Sequence, residues 1–302
     1  MNVRIPALAM AVLGAPVLAA AADVAVLKST DTPAWRPAID ALRRGAAAHA
    51  VTEYDLRNDR AEADRVVGGL KGKAAVVVAM GPLAAQAARE GAPEIPLVFC
   101  MVQDPARLGL AGLPNVTGVS FQIPIKNQLA AFRLVNPRAV RIGAIYSEAN
   151  TGAQVAEATK AAAVVRLNVV GRPVASERDV PEALRALLKG QDAVDALWIP
   201  PDPILLGDES RRYILAETLK AGKGVYSFSS ALVAEGALAS NGPEMGSIGD
   251  QAGELVNRIA AGEKGRIEML IPRAELVVNK KIADKLKIDI PIDALKAAGK
   301  VF

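Results

Sequence analysis

The chain has 302 residues, of which 51% are hydrophobic and 23% charged. This length predicts about two domains, and the apolar content is enough for a sizeable core. The formal net charge of +4 is small, and Lys and Arg are scattered among Asp and Glu, which argues against nucleic-acid binding.

The first 22 residues have the pattern of a secretory signal peptide. Arg4 supplies a positive start, residues 5–18 form an apolar stretch, and the small residues 19–22 provide a cleavage site. An uncleaved membrane anchor is the alternative, but Pro and Gly interrupt the short apolar stretch. The sole cysteine, Cys100, is too distant to carry a lipid. We therefore expect a mature chain that starts near Asp23, is not inserted in the membrane and lies free in the periplasm.

From Asp23 onward, short β-branched runs alternate with longer stretches of helical spacing. The predicted strands of the first half are residues 24–27, 51–56, 74–79, 97–101 and 116–120. Those of the second half are residues 141–146, 169–174, 196–199 and 224–227. This alternation predicts an α/β fold of two Rossmann-like lobes, each with a parallel sheet covered by helices. The remaining tail, with short strands at 267–271 and 276–279, is too short for a third domain and is expected to join the lobes.

Polar and small residues collect where the predicted strands end. In open α/β sheets, ligands bind at these carboxyl ends, beside helix N-termini. The candidate ligand-binding residues of the first half are Ser29, Thr30, Trp35, Met80, Gly81, Pro82, Gln103 and Asp104. Those of the second half are Ser147, Asn150, Thr151, Asp202, Ser227, Phe228 and Ser229. Each Ser, Thr or Asn alone could be a helix cap, but their collection at one edge of both sheets favours a ligand cleft.

The predicted cleft suits a small ligand with an anionic end, because helix N-termini offer free N–H groups and a positive dipole end. Asp202, held between Pro201 and Pro203, is the candidate partner for a ligand amine. The alternative is that Asp202 caps the following turn. Trp35 either stacks on the ligand or covers the edge of its lobe.

Catalytic patterns are missing from the sequence. With one histidine, His49, and one cysteine, Cys100, the chain offers no convincing nucleophile–base pair and no His/Cys zinc set. No phosphate-binding glycine motif is present. We expect neither an enzyme nor a bound cofactor or metal.

Three stretches resemble a known family: residues 96–120, residues 196–243, which begin ALWIPPDPILL, and residues 275–291, ELVVNKKIADKLKIDIP. The sequence is similar to ABC-transporter substrate-binding proteins of the tryptophan and tyrosine importer type. The resemblance implies a type I periplasmic-binding fold, or Venus flytrap. It places residues 24–120 and 242–266 in lobe 1, and residues 121–241 and 267–302 in lobe 2.

The resemblance also implies a function. The expected role is a monomeric receptor that closes two lobes on a small molecule, such as an amino acid or related carboxylate, and presents it to the membrane permease of an ABC importer. Two alternatives remain: a ligand sensor for a sensor kinase or another transporter, and a secreted α/β enzyme.

Overall fold

A computed structural model describes residues 21–191, 193–263 and 265–302. Apart from Ala21 and Ala22, the predicted signal peptide lies outside the described residues. None of the helices in the described part is both long and apolar enough to cross a membrane.

The first part of the chain alternates strands and helices as predicted. Its elements are β1 (Asp23–Lys28), α1 (Arg36–Gly45), β2 (Ala50–Asp55), α2 (Arg60–Gly68), β3 (Val76–Met80), α3 (Pro82–Gly91), β4 (Leu97–Cys100) and β5 (Val116–Gly118). They form a parallel sheet in the order β2-β1-β3-β4-β5. The run VVVAM of β3 is buried along its whole length, as expected of a central strand covered on both faces.

The second part repeats this alternation and then adds a C-terminal extension. Its elements are α4 (Ile125–Val135), β6 (Arg141–Tyr146), α5 (Glu148–Ala162), β7 (Asn168–Pro173), α6 (Val180–Leu188), β8 (Ala196–Ile199), α7 (Pro203–Leu206), α8 (Asp208–Lys220), β9 (Gly224–Ser227), α9 (Ser230–Glu235), β10 (Ala239–Pro243), α10 (Met245–Ala260), β11 (Ala274–Val278), α11 (Lys280–Leu286), α12 (Ile292–Ala297) and β12 (Ala298–Val301).

The second sheet has the order β12-β11-β10-β9-β8-β6-β7. Its strands pair in parallel except for β10 and β11, which are antiparallel. Trp198 lies in the core of this sheet, as its strand pattern predicts. The two α/β lobes of the predicted fold are thus confirmed, with one antiparallel pairing added.

Helix α10 leaves the second sheet and packs on the first. Ile248 and Leu255 share a buried cluster with Val24 and other residues of the first sheet. At Gly249, a side chain would collide with the backbone carbonyl of Ala38 in α1, so the glycine permits this close approach of the two helices.

Two segments near the predicted lobe boundaries lie differently from expectation. Residues 267–271 do not form a strand with lobe 2; instead, Leu270 makes an isolated parallel bridge with Val119 at the edge of the first sheet. Strand β10 continues to Pro243, past the expected boundary, because Gly242 and Pro243 pair with β11 in the second sheet. The overall division into lobes stays a prediction.

Candidate functional site

Strand-end loops from both sheets line one small cavity. Gln103 follows β4, Phe228 follows β9, and both line this space together with Phe121 and Gln122 of the connection between the sheets and Asn241 of β10. The cavity has about 10 Å³, roughly enough for one water molecule. Gln103 and Phe228 thus lie at one shared space, and their role in ligand binding stays a prediction.

In the first sheet, Ser29 joins the loops that follow β1 and β3. Its backbone N–H donates to the carbonyl of Met80 at 2.9 Å. Its Oγ accepts a hydrogen bond from the N–H of Ala84 at 3.0 Å and so caps α3 from a neighbouring strand. Helix α3 needs this cap because its own N-cap residue, Gly81, has no side chain.

Gly81 allows Trp35 and Ser29 to approach the backbone. It has φ 92° and ψ 168°, a region that residues with a side chain rarely occupy. A Cβ at this position would lie 2.7 Å from Ser29 Oγ and 2.9 Å from Trp35 Cη2. The half-buried Trp35 ring therefore lies against the Gly81 backbone.

In the second sheet, Asp202 joins the loops that follow β6 and β8. Its Oδ2 accepts hydrogen bonds from the Ser147 N–H at 2.7 Å, the Ser147 hydroxyl at 2.7 Å and the Thr151 hydroxyl at 2.5 Å. Its Oδ1 accepts from the N–H of Ile204 at 3.0 Å, which caps α7. Asn150 in turn donates to Ser147 Oγ at 2.8 Å.

These bonds correct the role predicted for Asp202. The side chain is completely buried, and both carboxylate oxygens already accept hydrogen bonds from the protein. A buried carboxylate is tolerated when it is supplied with donors in this way. Asp202 has the capping role that the sequence analysis gave as the alternative, and it also holds Ser147 and Thr151 in place.

The remaining predicted site residues differ in exposure. Ser227 is buried, and its hydroxyl donates to the carbonyl of Ser229 at 2.9 Å. Asp104 is exposed and accepts from the N–H of Arg107 at 3.0 Å, which is a turn cap. Thr30 and Pro82 are exposed at the end of the first sheet.

Sequence reasoning missed polar residues that the connections between the sheets bring to the site. Gln122 donates from Nε2 to the carbonyl of Gln103 at 2.8 Å. Asn241 donates to the carbonyl of Asn127 at 3.3 Å. Gln128, 3% exposed, has no partner for its Oε1 among the described residues. Gln122 lies in a crossing segment, Gln128 on helix α4 and Asn241 within β10, whereas the sequence argument considered only loops that follow predicted strands.

The pKa of one side chain at the carboxyl end of β6 is shifted. Burial, followed by a hydrogen bond to Glu148 at 3.0 Å, raises the pKa of Tyr146 above its ordinary value. The phenol is thus protonated at neutral pH and donates to the carboxylate.

Two α/β lobes whose strand ends meet around a shared cavity define a two-lobed binding protein. The chain belongs to the family of ABC transporter substrate binding proteins, whose model matches residues 23–302. It is thus a substrate-binding protein of the ABC type.

Relatives within this group are distant in sequence. A tyrosine-binding protein of Clostridioides difficile is 27% identical over 214 residues, which cover 68% of this chain and 60% of the relative. The match therefore spans less than two thirds of that protein.

Solved structures agree on the fold. A ligand-free, open substrate-binding protein with adhesive properties from Clostridium difficile has a TM-score of 0.81 at 21% identity, covering 93% of this chain and 99% of that one. An ABC domain in complex with L-Trp from Streptococcus pneumoniae has a TM-score of 0.68 at 24% identity, covering 93% of this chain and 100% of that one.

Proposed function

We propose that this protein is the extracytoplasmic receptor of an ABC importer, that it binds an amino acid or a related carboxylate between its lobes, and that it carries out no chemical reaction. Family membership over residues 23–302 supports the receptor class. The observation that carries the proposal is the cavity lined by Gln103 from one lobe and Phe228 from the other.

The site suits reversible binding by closure of the two lobes. Asp202 holds Ser147 and Thr151 and so fixes the N-terminal end of α5, whose Gln154 lines the cavity. Fixed polar groups reduce the entropy lost on binding. A ligand that contacts both lobes stabilises their closed arrangement by its extra contacts in that state.

The relatives suggest which ligands to test first. One is named for tyrosine binding, and another was solved with L-Trp. Phe121 and Phe228 lie beside the carboxamides of Gln103 and Gln122 around a space of about 10 Å³, so the lobes must separate to admit an amino acid. Rings and carboxamides together suit an aromatic side chain with a polar substituent.

A thermal-unfolding screen on unfolded and refolded protein tests this proposal. L-tyrosine, L-tryptophan, other amino acids, small acids, sugars and nucleosides are each added in excess. A ligand at a hundred times its Kd adds about 2.7 kcal/mol to the free energy of unfolding. We expect amino acids or carboxylates to stabilise the protein, and stabilisation by neutral sugars alone would contradict the proposed ligand class.

A pair of variants locates the binding site. Phe228→Ala removes an aromatic ring from the cavity and is expected to weaken ligand binding at least tenfold. Tyr213→Ala removes a ring from the exposed surface of α8 and is the matched control, with unchanged affinity expected. Equal affinities in both variants would place the ligand elsewhere.

The transport role has its own test. An importer receptor requires a permease and an ATPase, so we expect their genes beside this one and loss of ligand uptake when this gene is deleted. A neighbouring sensor kinase gene and unaffected uptake would favour the sensing alternative.

A further inference from the structure

The two sheets repeat one strand order, which identifies the loops that lie farthest from the connections between them. From the connections outward, the first sheet runs β5-β4-β3-β1-β2. The second sheet, apart from its added strands β11 and β12, runs β10-β9-β8-β6-β7. Strands β2 and β7 thus hold the same position, four strands away from β5 and β10. At a strand spacing of about 4.8 Å, the loops after them lie roughly 19 Å from the connections.

Equivalent loops of the two sheets face each other. The loops after β4 and β9, the fourth strands of the two sheets, contribute Gln103 and Phe228 to one shared cavity. Both sheets therefore direct their carboxyl ends to the same space, and the loops after β2 and β7 border that space at its far side. We call residues 56–59 and residues 174–179 the mouth loops.

The mouth loops correspond residue by residue. Asp59 is the N-cap residue of α2, and Asp179 is the N-cap residue of α6. Two positions earlier stand Arg57 and Glu177, and both are exposed. Equivalent positions on facing loops thus carry a cation in one lobe and an anion in the other.

Arg57 lies on a constrained turn and has no partner for its charge. It and Asn58 both have left-handed backbone angles, with φ of 50° and 54°, and its N–H donates to Asp55 at 3.0 Å. Its guanidinium makes no hydrogen bond or ion pair with the described residues. The carboxylate that feels its charge, Glu62, already accepts two hydrogen bonds from Arg65, at 2.7 and 2.8 Å. The cation is thus available to a group outside its own loop.

Glu177 is equally unpaired, and the fold fixes where its carboxylate lies. Its Oε1 would be 2.7 Å from a Cβ added at Gly207, the N-cap residue of α8, so the carboxylate lies at the positive end of that helix. It makes no hydrogen bond or ion pair with the described residues and borders a groove of about 480 Å³. Arg178 lines the same groove, but its equivalent in the other mouth loop is the neutral Asn58. Glu177 can therefore accept a guanidinium without losing an existing partner.

We propose that Arg57 and Glu177 form an ion pair across the mouth loops when the lobes close, and that this latch slows ligand release. The inference rests on the proposed function, because it requires a clamp that closes on a ligand. Guanidinium and carboxylate groups pair through two parallel hydrogen bonds. Both groups are unpaired in this structure, so the contact is gained only on closure, as an interaction that shifts this equilibrium must be. An exposed pair contributes modestly, so the latch lengthens the residence of a ligand and does not select it.

Charge reversal with rescue tests the energetics of the latch. Arg57→Glu and Glu177→Arg each place like charges across the mouth, whereas the double variant restores a pair in the opposite sense. With L-tyrosine and L-tryptophan as probes, we expect each single variant to weaken affinity about fivefold, mainly through faster release. The double variant should return to within about twofold of the unaltered protein. Calorimetry gives the affinity and stopped-flow fluorescence the release rate. The losses should fade in about 1 M salt, where the Debye length is about 3 Å.

The control pair lies at the other ends of the two sheets. Glu94 precedes β4 and Arg138 precedes β6, and both are exposed. Glu94→Arg, Arg138→Glu and their double variant make the same changes of charge away from the mouth loops. We expect all three to bind and release the probes as the unaltered protein does.

Cross-linking tests the geometry independently of affinity. In a Cys100→Ala background, Arg57→Cys combined with Glu177→Cys is treated with a short bismaleimide. Arg57→Cys combined with Arg138→Cys is the control. We expect an intramolecular cross-link in the first pair, formed faster when a probe is added, and none in the control, as read by mass spectrometry.

Several outcomes would overturn the latch. A cross-link no more frequent than in the control shows that the mouth loops do not meet, while the proposed function stands. The proposed function also stands if the charge-reversal variants bind and release the probes normally; loss of ligand uptake in those variants would then assign the two residues to a contact with the membrane partner. If neither probe nor any other amino acid or carboxylate binds the unaltered protein, the proposed function fails and the latch fails with it.

Discussion

In each sheet, one polar side chain links the loops that follow two neighbouring central strands, but the chemistry of the link differs. We call the link at Asp202 in the second sheet the charged junction and the link at Ser29 in the first sheet the neutral junction. In the second sheet, the buried carboxylate of Asp202 accepts bonds from Ser147, Thr151 and Ile204. In the first sheet, the neutral hydroxyl of Ser29 accepts one bond, from Ala84, and the rest of the junction is one backbone hydrogen bond, from Ser29 to Met80, and close packing at Gly81. Hydrogen bonds to a charged group are worth more than neutral ones, so the second junction should be the more costly to break.

The comparison also separates two uses of a carboxylate within one sheet. Asp202 is fully buried and surrounded by donors from its own chain, whereas Glu275 has no described partner. The satisfied carboxylate of Asp202 contributes to rigidity, whereas the Glu275 side chain lies against Gly299 of the edge strand β12. Position at a strand end does not by itself distinguish these roles.

Removal of the charged junction is expected to have the largest effect on stability. Asp202→Ala leaves the N–H groups of Ser147 and Ile204 and two hydroxyls without their acceptor in a buried site. We expect a loss of about 4 kcal/mol in the free energy of unfolding, measured by urea denaturation of the ligand-free protein.

The exposed Asp208 of α8 provides the control for Asp202. Asp208→Asn should change the free energy of unfolding by less than about 0.5 kcal/mol, because an exposed ion pair contributes little. An Asp202→Ala protein as stable as this control would show that the charged junction does not hold the loops.

Breaking the neutral junction at Gly81 is expected to cost about 3 kcal/mol. Gly81→Ala combines backbone strain at φ 92° with collisions against Ser29 and Trp35. Gly190→Ala is the matched comparison, since Gly190 has φ 90° and no atom within 4 Å of an added Cβ. Its expected cost is about 1 kcal/mol, from strain alone. Equal losses in the two variants, compared by urea denaturation, would rule out a tight contact at Gly81.

Loss of the side-chain hydrogen bond in the neutral junction should have a smaller effect. Ser29→Ala removes the acceptor for the N–H of Ala84 and is expected to cost about 1 kcal/mol, the usual contribution of a helix cap. The readout is the thermal unfolding midpoint, with the exposed neighbour Thr30→Ala as control. A midpoint that shifts as little in Ser29→Ala as in the control would remove Ser29 as the cap of α3.

Much of this arrangement could be predicted from the sequence. Buried runs such as VVVAM mark the parallel strands, and the parallel rule places Ser29, Met80, Ser147 and Asp202 at strand ends. The donors around Asp202 could not be predicted, because Ser147 is 55 residues away in the chain. The strand order β6-β8 brings the two loops together.

Strand β10 was missed for a related reason. The run ASNGP of β10 lacks β-branched residues and contains Gly and Pro, so it does not have the pattern of a strand. Without β10, the antiparallel pairing that joins it to β11 cannot be predicted. Pairing with β9 and β11 makes this segment a strand, against its local preference.

The smallest expected effect concerns Cys100, which lies at the end of β4 and is buried. Its backbone carbonyl accepts a hydrogen bond from the N–H of Gly81 at 2.9 Å. Burial raises the pKa of its thiol from 9.0 to about 12. At pH 8 the native thiol is therefore almost wholly protonated, and a reagent that requires the thiolate should not label it. Unfolding in urea restores the ordinary pKa and should permit labelling, and Cys100→Ala is the blank.

The raised native pKa of Cys100 also makes the stability of the fold depend on pH. Its contribution to the free energy of unfolding is fully present below about pH 9 and is lost as the pH rises toward 12. Rapid labelling of the folded protein at pH 8, with unchanged circular dichroism, would show that β4 opens locally without global unfolding. The strand ends of the first sheet would then be mobile, and the contrast between its neutral junction and the charged junction of the second sheet would be sharper.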